Sequence, residues 1–191
     1  MEGERSRAEI LQGRLYYVAL KAAPSLAAQR LHHFFSIDQE LLYWNFFLDY
    51  GPLSLGQLFR FCQGLNAKLR DPALRDKVIY FYSSTHPHRR ANAVVLMAAW
   101  SMLYLHRAPE EALRPFQSLP ALPPFHDASP CLCSFQLTAL DCLRGLNKAR
   151  KSSFFDFSTF DLAEYEHYEQ VRAVSACGEV HATHAQLAST M

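Results

Sequence analysis

No apolar run in these 191 residues reaches the roughly 18 to 20 residues that a helix needs to cross a bilayer. The longest, Ala93 to Leu105, stops short, so the expectation is a soluble protein with no membrane partner. The opening MEGERSRAEI has neither an apolar core nor a small-residue cleavage site, which argues against a secretory signal. An excess of one charge sign is also missing. With a formal net charge of +1 and a pI near 7.7, nothing pulls the chain toward nucleic acid or anionic lipid. The five cysteines (Cys62, Cys131, Cys133, Cys142 and Cys177) are an odd number at irregular spacing, which fits reduced thiols of cytosol or nucleus better than a disulfide framework. Paired Cys-x-x-Cys is absent. Two looser sets, His126 with Cys131 and Cys133, and Cys177 with His181 and His184, contain ligand types without that pairing, so neither a metal nor a cofactor is expected.

What the chain has in quantity is apolar residues: 50% hydrophobic and 13% aromatic, enough for one well-buried domain and too short for two ordinary ones. RLYYVAL (Arg14 to Leu20) and LHHFFSI (Leu31 to Ile37) are short and aromatic or β-branched, and they read as strands on either side of the turn-prone KAAPSLAAQR. Ser54 stands three residues before Gln57 between Leu53 and Leu58, a capping box with a hydrophobic staple. Leu55, Leu58, Phe59, Cys62, Leu65 and Leu69 then recur at helical spacing until Asp71-Pro72. KVIYFYS (Lys77 to Ser83) is a nearly unbroken apolar run of strand length, predicted to be central and covered by helices on both faces. A buried helix is predicted from about Arg90 to His106, and another opens at Pro109 with Glu110 and Glu111 in its first turn. A proline-broken loop, QSLPALPPFHDASP, precedes a helix from about Ser134 to Lys151. Ser158 is the predicted N-cap of a last helix rich in acids and tyrosines. The aromatic stretches YWNFF and FFDFSTF are assigned to core, as most such residues are. Helices mixed with strands, several as crossovers, indicate an α/β layered domain.

The stretch with the outline of a reactive site is YFYSSTHPHRRANA, Tyr80 to Ala93. Between a strand and a helix, Ser83 and Arg89 stand six apart, the spacing at which a cysteine-dependent phosphatase places its nucleophile and its phosphate-gripping arginine. No cysteine of the chain has an arginine at that spacing: the residues reached are Lys68, Leu137, Ala139, Lys148 and Thr183. Serine is the wrong atom, because an unassisted hydroxyl is barely ionised at neutral pH. The loop SSTHPH offers no glycine, and Pro87 has no N–H to donate. Two readings of Arg89 and Arg90 stay open, a residual phosphate site or solvated arginines at a helix start. A hydrolase triad of Ser83 or Ser84 with His86 or His88 lacks any Gly-x-Ser-x-Gly elbow.

FFSIDQELLYWNFFLDYGPLSLGQLFRFCQGLN, RRANAVVL, APEEA, FHDASP, LTALDCLRG and FFDFSTFDLAEYEHYEQV occur in that order between about Leu15 and Val171. Together they resemble the N-terminal domain of the cell division cycle fourteen dual-specificity protein phosphatases. The resemblance implies a dual-specificity-phosphatase-like fold with a mixed central sheet flanked by helices, ending in a linker helix. It implies four segments: a flexible N-terminus over 1–13, the phosphatase-like domain over 14–157, the linker helix over 158–171 and a divergent, loosely ordered tail over 172–191. Catalysis in this family belongs to a second domain. The first domain packs against it and helps form a substrate groove whose acids favour a basic residue after phosphoserine-proline. By that resemblance Glu166, with Glu164 and Glu169 beside it, falls on the groove-lining acids.

After Val171 the sequence leaves the family pattern. The expectation is therefore a truncated, inactive member working in substrate recognition or protein interaction, or else a fragment of an active phosphatase. Its partners would be phosphoproteins or a phosphatase catalytic domain, with self-association through apolar surface left uncovered near the linker helix. The family's locations are nucleus, cytoplasm, and spindle pole or centrosome.

Overall fold

The computed structural model describes residues 7–129 and 135–169, which fall into two units that part between Phe155 and Asp156. In the first unit the described strands are β1 (Arg7–Leu11), β2 (Leu15–Leu20), β3 (His33–Phe35) and β4 (Ile79–Ser84). They form one sheet in the order β1-β2-β4-β3. β4 is parallel to both of its neighbours, and β1 pairs antiparallel with β2. The fold is mixed α/β. Within the span 1–13 expected to be flexible, Arg7–Leu11 forms an edge strand whose Ala8 and Ile10 alternate into the core at 1% and 2% exposure, while residues 1–6 lie outside the described residues. Gly13, at φ 65°, makes the tight turn from β1 into β2.

Registry across the sheet puts Tyr17, Phe81 and Phe35 side by side on one face. Phe61 closes on that row from the described helix α2 (Leu55–Arg70), with its ring 4.9 Å from that of Phe81. On the opposite face Tyr16, Tyr80 and Phe34 stack at 5.4 and 4.8 Å and stay half-buried. The expectation of a β4 covered on both faces is corrected by this asymmetry, since Ile79, Phe81 and Ser83 are buried while Tyr80, Tyr82 and Ser84 are only partly so. An apolar run cannot report which face the helices leave half-open.

α2 follows its sequence signals closely. The Ser54 hydroxyl accepts from the Gln57 N–H and the Gln57 side chain accepts from the Ser54 N–H. Of the expected stripe Leu58, Cys62 and Leu65 are buried, Phe59 and Leu69 are only partly so and Leu55 is exposed, and Phe61, outside that spacing, is buried with them. Asp71 ends the helix and its carboxylate caps the following Pro72–Leu74 turn. A short helix α1 (Leu26–Leu31), capped by Ser25, occupies the stretch read as a turn. α3 (Pro87–Tyr104) starts earlier than the predicted Arg90, because proline is tolerated in the first turn. α4 (Pro109–Leu113) begins where expected. α5 (Ala139–Lys151) begins later than Ser134, at the Thr138–Asp141 capping box.

In the second unit, residues 162–169 are helical. Asp161, rather than Ser158, is the cap: its carboxylate accepts from the N–H groups of Ala163 and Glu164 at 2.9 and 3.0 Å. Ser158 instead donates to Asp156 at 2.6 Å. The predicted tail over 172–191 lies outside the described residues. No helix among the described residues is long and apolar enough to cross a membrane.

Candidate functional site

The carboxyl end of β4 and the first turn of α3 face an irregular segment, residues 36–53, and a groove of about 690 Å³ runs between them. Two tyrosines hold that segment in place. The Tyr50 hydroxyl donates to the His88 carbonyl at 2.5 Å, its ring stacks on the His88 imidazole at 3.8 Å, and its backbone exchanges hydrogen bonds with His126. Tyr43 donates to the Asp49 carboxylate at 2.6 Å and lies against Gly51 so closely that any Cβ there would meet its ring at 3.0 Å. Burial, and then the Asp49 carboxylate, push the Tyr43 hydroxyl up to about 12. His88 titrates below the ordinary histidine value, first because it is desolvated and then because His86 and His126 are near.

Ser83 and Arg89, six apart in sequence, have different fates. The pleat turns Ser83 toward the core, where it is fully buried, and its hydroxyl lies 2.7 Å from that of Tyr17. It also donates to the Ser84 carbonyl at 3.0 Å. Burial pushes Tyr17 up to about 12, so this hydrogen-bond partner keeps its proton at neutral pH and is no base for the serine. Arg89 lies on the surface side and pairs with Asp38 at 3.7 Å. The same Asp38 carboxylate accepts from the Ser84 N–H at 2.7 Å.

Arg90 is 8% exposed and donates to the Ala121 carbonyl at 2.8 Å, which ties α3 to the proline-broken loop. This corrects both readings of Arg90, as a solvated arginine and as part of a residual phosphate site. Its alternation with Arg89 at a helix start carried no signal of which one turns inward. Of the suggested metal ligands, Cys131, Cys133, Cys177, His181 and His184 lie outside the described residues. Among the described residues no cluster of three ligating side chains occurs. Glu164, Glu166 and Glu169 sit on the helical stretch of the second unit, Glu164 and Glu169 exposed and Glu166 half-buried.

YWNFF departs from its assignment to core. Trp44, Phe46 and Phe47 are 84%, 75% and 55% exposed, and Leu48 is 54% exposed. Tyr43 and Tyr50 use the inward positions, and with no regular period between them the other large side chains face outward. The FFDFSTF stretch divides, with Phe154 at 88% exposure and Phe155 at 7%.

A sequence model described as the N-terminal half of dual specificity protein phosphatase matches residues 9–149. The chain belongs to this family. Dual specificity protein phosphatase CDC14A of Mus musculus is 46% identical over 165 residues, which are 85% of this chain and 27% of the relative. The Homo sapiens protein of the same name is 45% identical with the same coverage. Tyrosine-protein phosphatase CDC14 homolog of Schizosaccharomyces pombe is 38% identical over 167 residues, 85% of this chain and 31% of the relative. The chain thus spans 27 to 31% of the length of these curated relatives. Between β4 and α3 of this chain, the residue six before Arg89 is a fully buried serine.

Proposed function

We propose that the chain is a non-catalytic recognition module of a dual-specificity phosphatase, partnered by a phosphatase catalytic domain and, through it, by phosphoproteins. One observation carries the reading: the Ser83 hydroxyl is fully buried and bonded to Tyr17, so the nucleophile position of the strand-loop-helix frame faces the core instead of a substrate. The exposed apolar side chains of Trp44, Phe46, Phe47 and Leu48 support a protein partner, because four such neighbours in one short segment gain nothing by facing water. Glu164, Glu166 and Glu169 would contribute the acidic wall that favours a basic residue after phosphoserine-proline.

Titrating a separately expressed catalytic half of the mouse relative with this chain tests the proposal. The expected result is association and a higher kcat/KM on phosphoserine-proline peptides followed by a basic residue, with Trp44→Ser and Phe46→Ser each weakening association about tenfold or more. Glu166→Lys should lower the preference for the basic residue while leaving association intact. Absence of any association overturns the reading. The 27% coverage of the mouse relative favours one variation, in which the same module works within a longer polypeptide that carries the catalytic half. An open frame running on into a Cys-x-x-x-x-x-Arg motif would establish it.

A further inference from the structure

The groove holds the Asp38 carboxylate between the end of β4 and the first turn of α3. Asp38, 14% exposed at its side chain, receives the Ser84 N–H at 2.7 Å and faces the Arg89 guanidinium at 3.7 Å. One main-chain N–H at the end of a strand and one arginine from the first turn of the next helix form the minimal grip for an oxyanion. Two further observations point to a ligand at the same place. The Ser84 hydroxyl is buried and has no hydrogen-bond partner. Asn92, 7% exposed, donates to the Gly51 carbonyl while its own carbonyl oxygen is left without a partner. Both residues line the groove. Buried polar atoms are rarely left unpaired, because each such atom costs free energy comparable to a lost hydrogen bond.

We propose that this is an oxyanion site closed from within, with the Asp38 carboxylate as its resident anion. The inference rests on the non-catalytic reading and deepens it. The frame keeps donors for a phosphoryl group, yet the chain supplies its own negative charge to them, so a phosphoprotein gains nothing by entering here. Removing the carboxylate frees the Ser84 N–H and the Arg89 guanidinium together, with the Ser84 hydroxyl as a third donor. An entering anion with a protonated oxygen would also satisfy Asn92. The other carboxylate of the groove, Asp49, is spoken for by the Tyr43 hydroxyl and the Phe47 N–H at 2.6 and 2.7 Å. His86, His88 and Arg89 line the same groove and add no negative charge.

The test is titration of the full chain with sodium tungstate and with inorganic phosphate, followed by amide NMR and thermal shift, with sodium chloride at equal ionic strength as control. Wild type should bind neither measurably. Asp38→Ala should bind both at least about tenfold more tightly, with the largest amide shift at Ser84. Arg89→Ala in that background should return binding to the wild-type level. Asp38→Ser, which vacates most of the volume and keeps a hydroxyl, should behave like Asp38→Ala. If either variant is unfolded, tungstate should restore its fold by mass action. Wild type binding as tightly as the variants overturns the proposal. So does a gain that survives Arg89→Ala, the lack of any gain in both variants, or a lost fold that tungstate does not rescue. Failure here is distinct from failure of the recognition reading, because association with a catalytic half is measured separately and does not involve Asp38.

Discussion

Helix α2 and the irregular segment just before it are alike in length and both rich in large apolar residues, yet they spend those residues in opposite ways. α2 turns Leu58, Phe61, Cys62 and Leu65 into the core. In residues 36–53, Ile37 and Tyr50 are buried while Leu42, Trp44, Phe46, Phe47 and Leu48 are exposed. A repeating backbone gives apolar side chains at its period a shared inward face, with Leu55 in the first turn of α2 left exposed. An irregular backbone grants that address only where a specific bond fixes it, as Tyr50 is fixed to His88. The apolar surplus then remains on the surface, next to the groove.

The largest expected effect separates the two regions by stability. Phe61→Ala should lose about 3 to 5 kcal/mol in chemical denaturation, because it empties a packed site against Phe81. Trp44→Ala should stay within about 0.5 kcal/mol. A Trp44 effect as large as that of Phe61 would erase the distinction. Next, Ser54→Ala should cost about 1 kcal/mol through the lost capping box at the junction of the two regions. Gly64→Ala should stabilise by up to about 1 kcal/mol, since a methyl group on that exposed helical face meets nothing within 4 Å.

The smallest effect concerns pH. His88 is lowered in the folded state, so protonation favours the unfolded chain. The stability it withholds should be absent above the ordinary histidine value of about 6.5 and grow as pH falls from there toward its lowered folded value. Because His33 is lowered as well, by its burial first, the readout is the difference in melting temperature between wild type and His88→Gln. That difference should shift in favour of the variant across mildly acidic pH.

Most of the fold was legible where local and periodic signals agree. The Ser54–Gln57 box, the apolar stripe of α2 and the Asp71-Pro72 stop each need only neighbours a few residues away. β1 was not legible, because RAEIL reads as charged until its pairing with β2 is known. In the site, the Ser83–Arg89 spacing was readable, but the direction of each side chain was not. Facing depends on the pleat of β4, which puts Ser83 on the inward face with Ile79 and Phe81 and leaves Ser84 on the other, groove-lining side. Asp38, 46 residues away from Ser84, left no sequence signal at all. Only the register of the sheet brings the segment after β3 beside the end of β4.

The most direct test of the central claim is steady-state hydrolysis of an aryl phosphate by the purified chain, beside Ser83→Ala and a variant lacking all five cysteines. The account predicts a rate at buffer background for all three proteins. A rate above background that disappears in Ser83→Ala, or that depends on any cysteine, would contradict it.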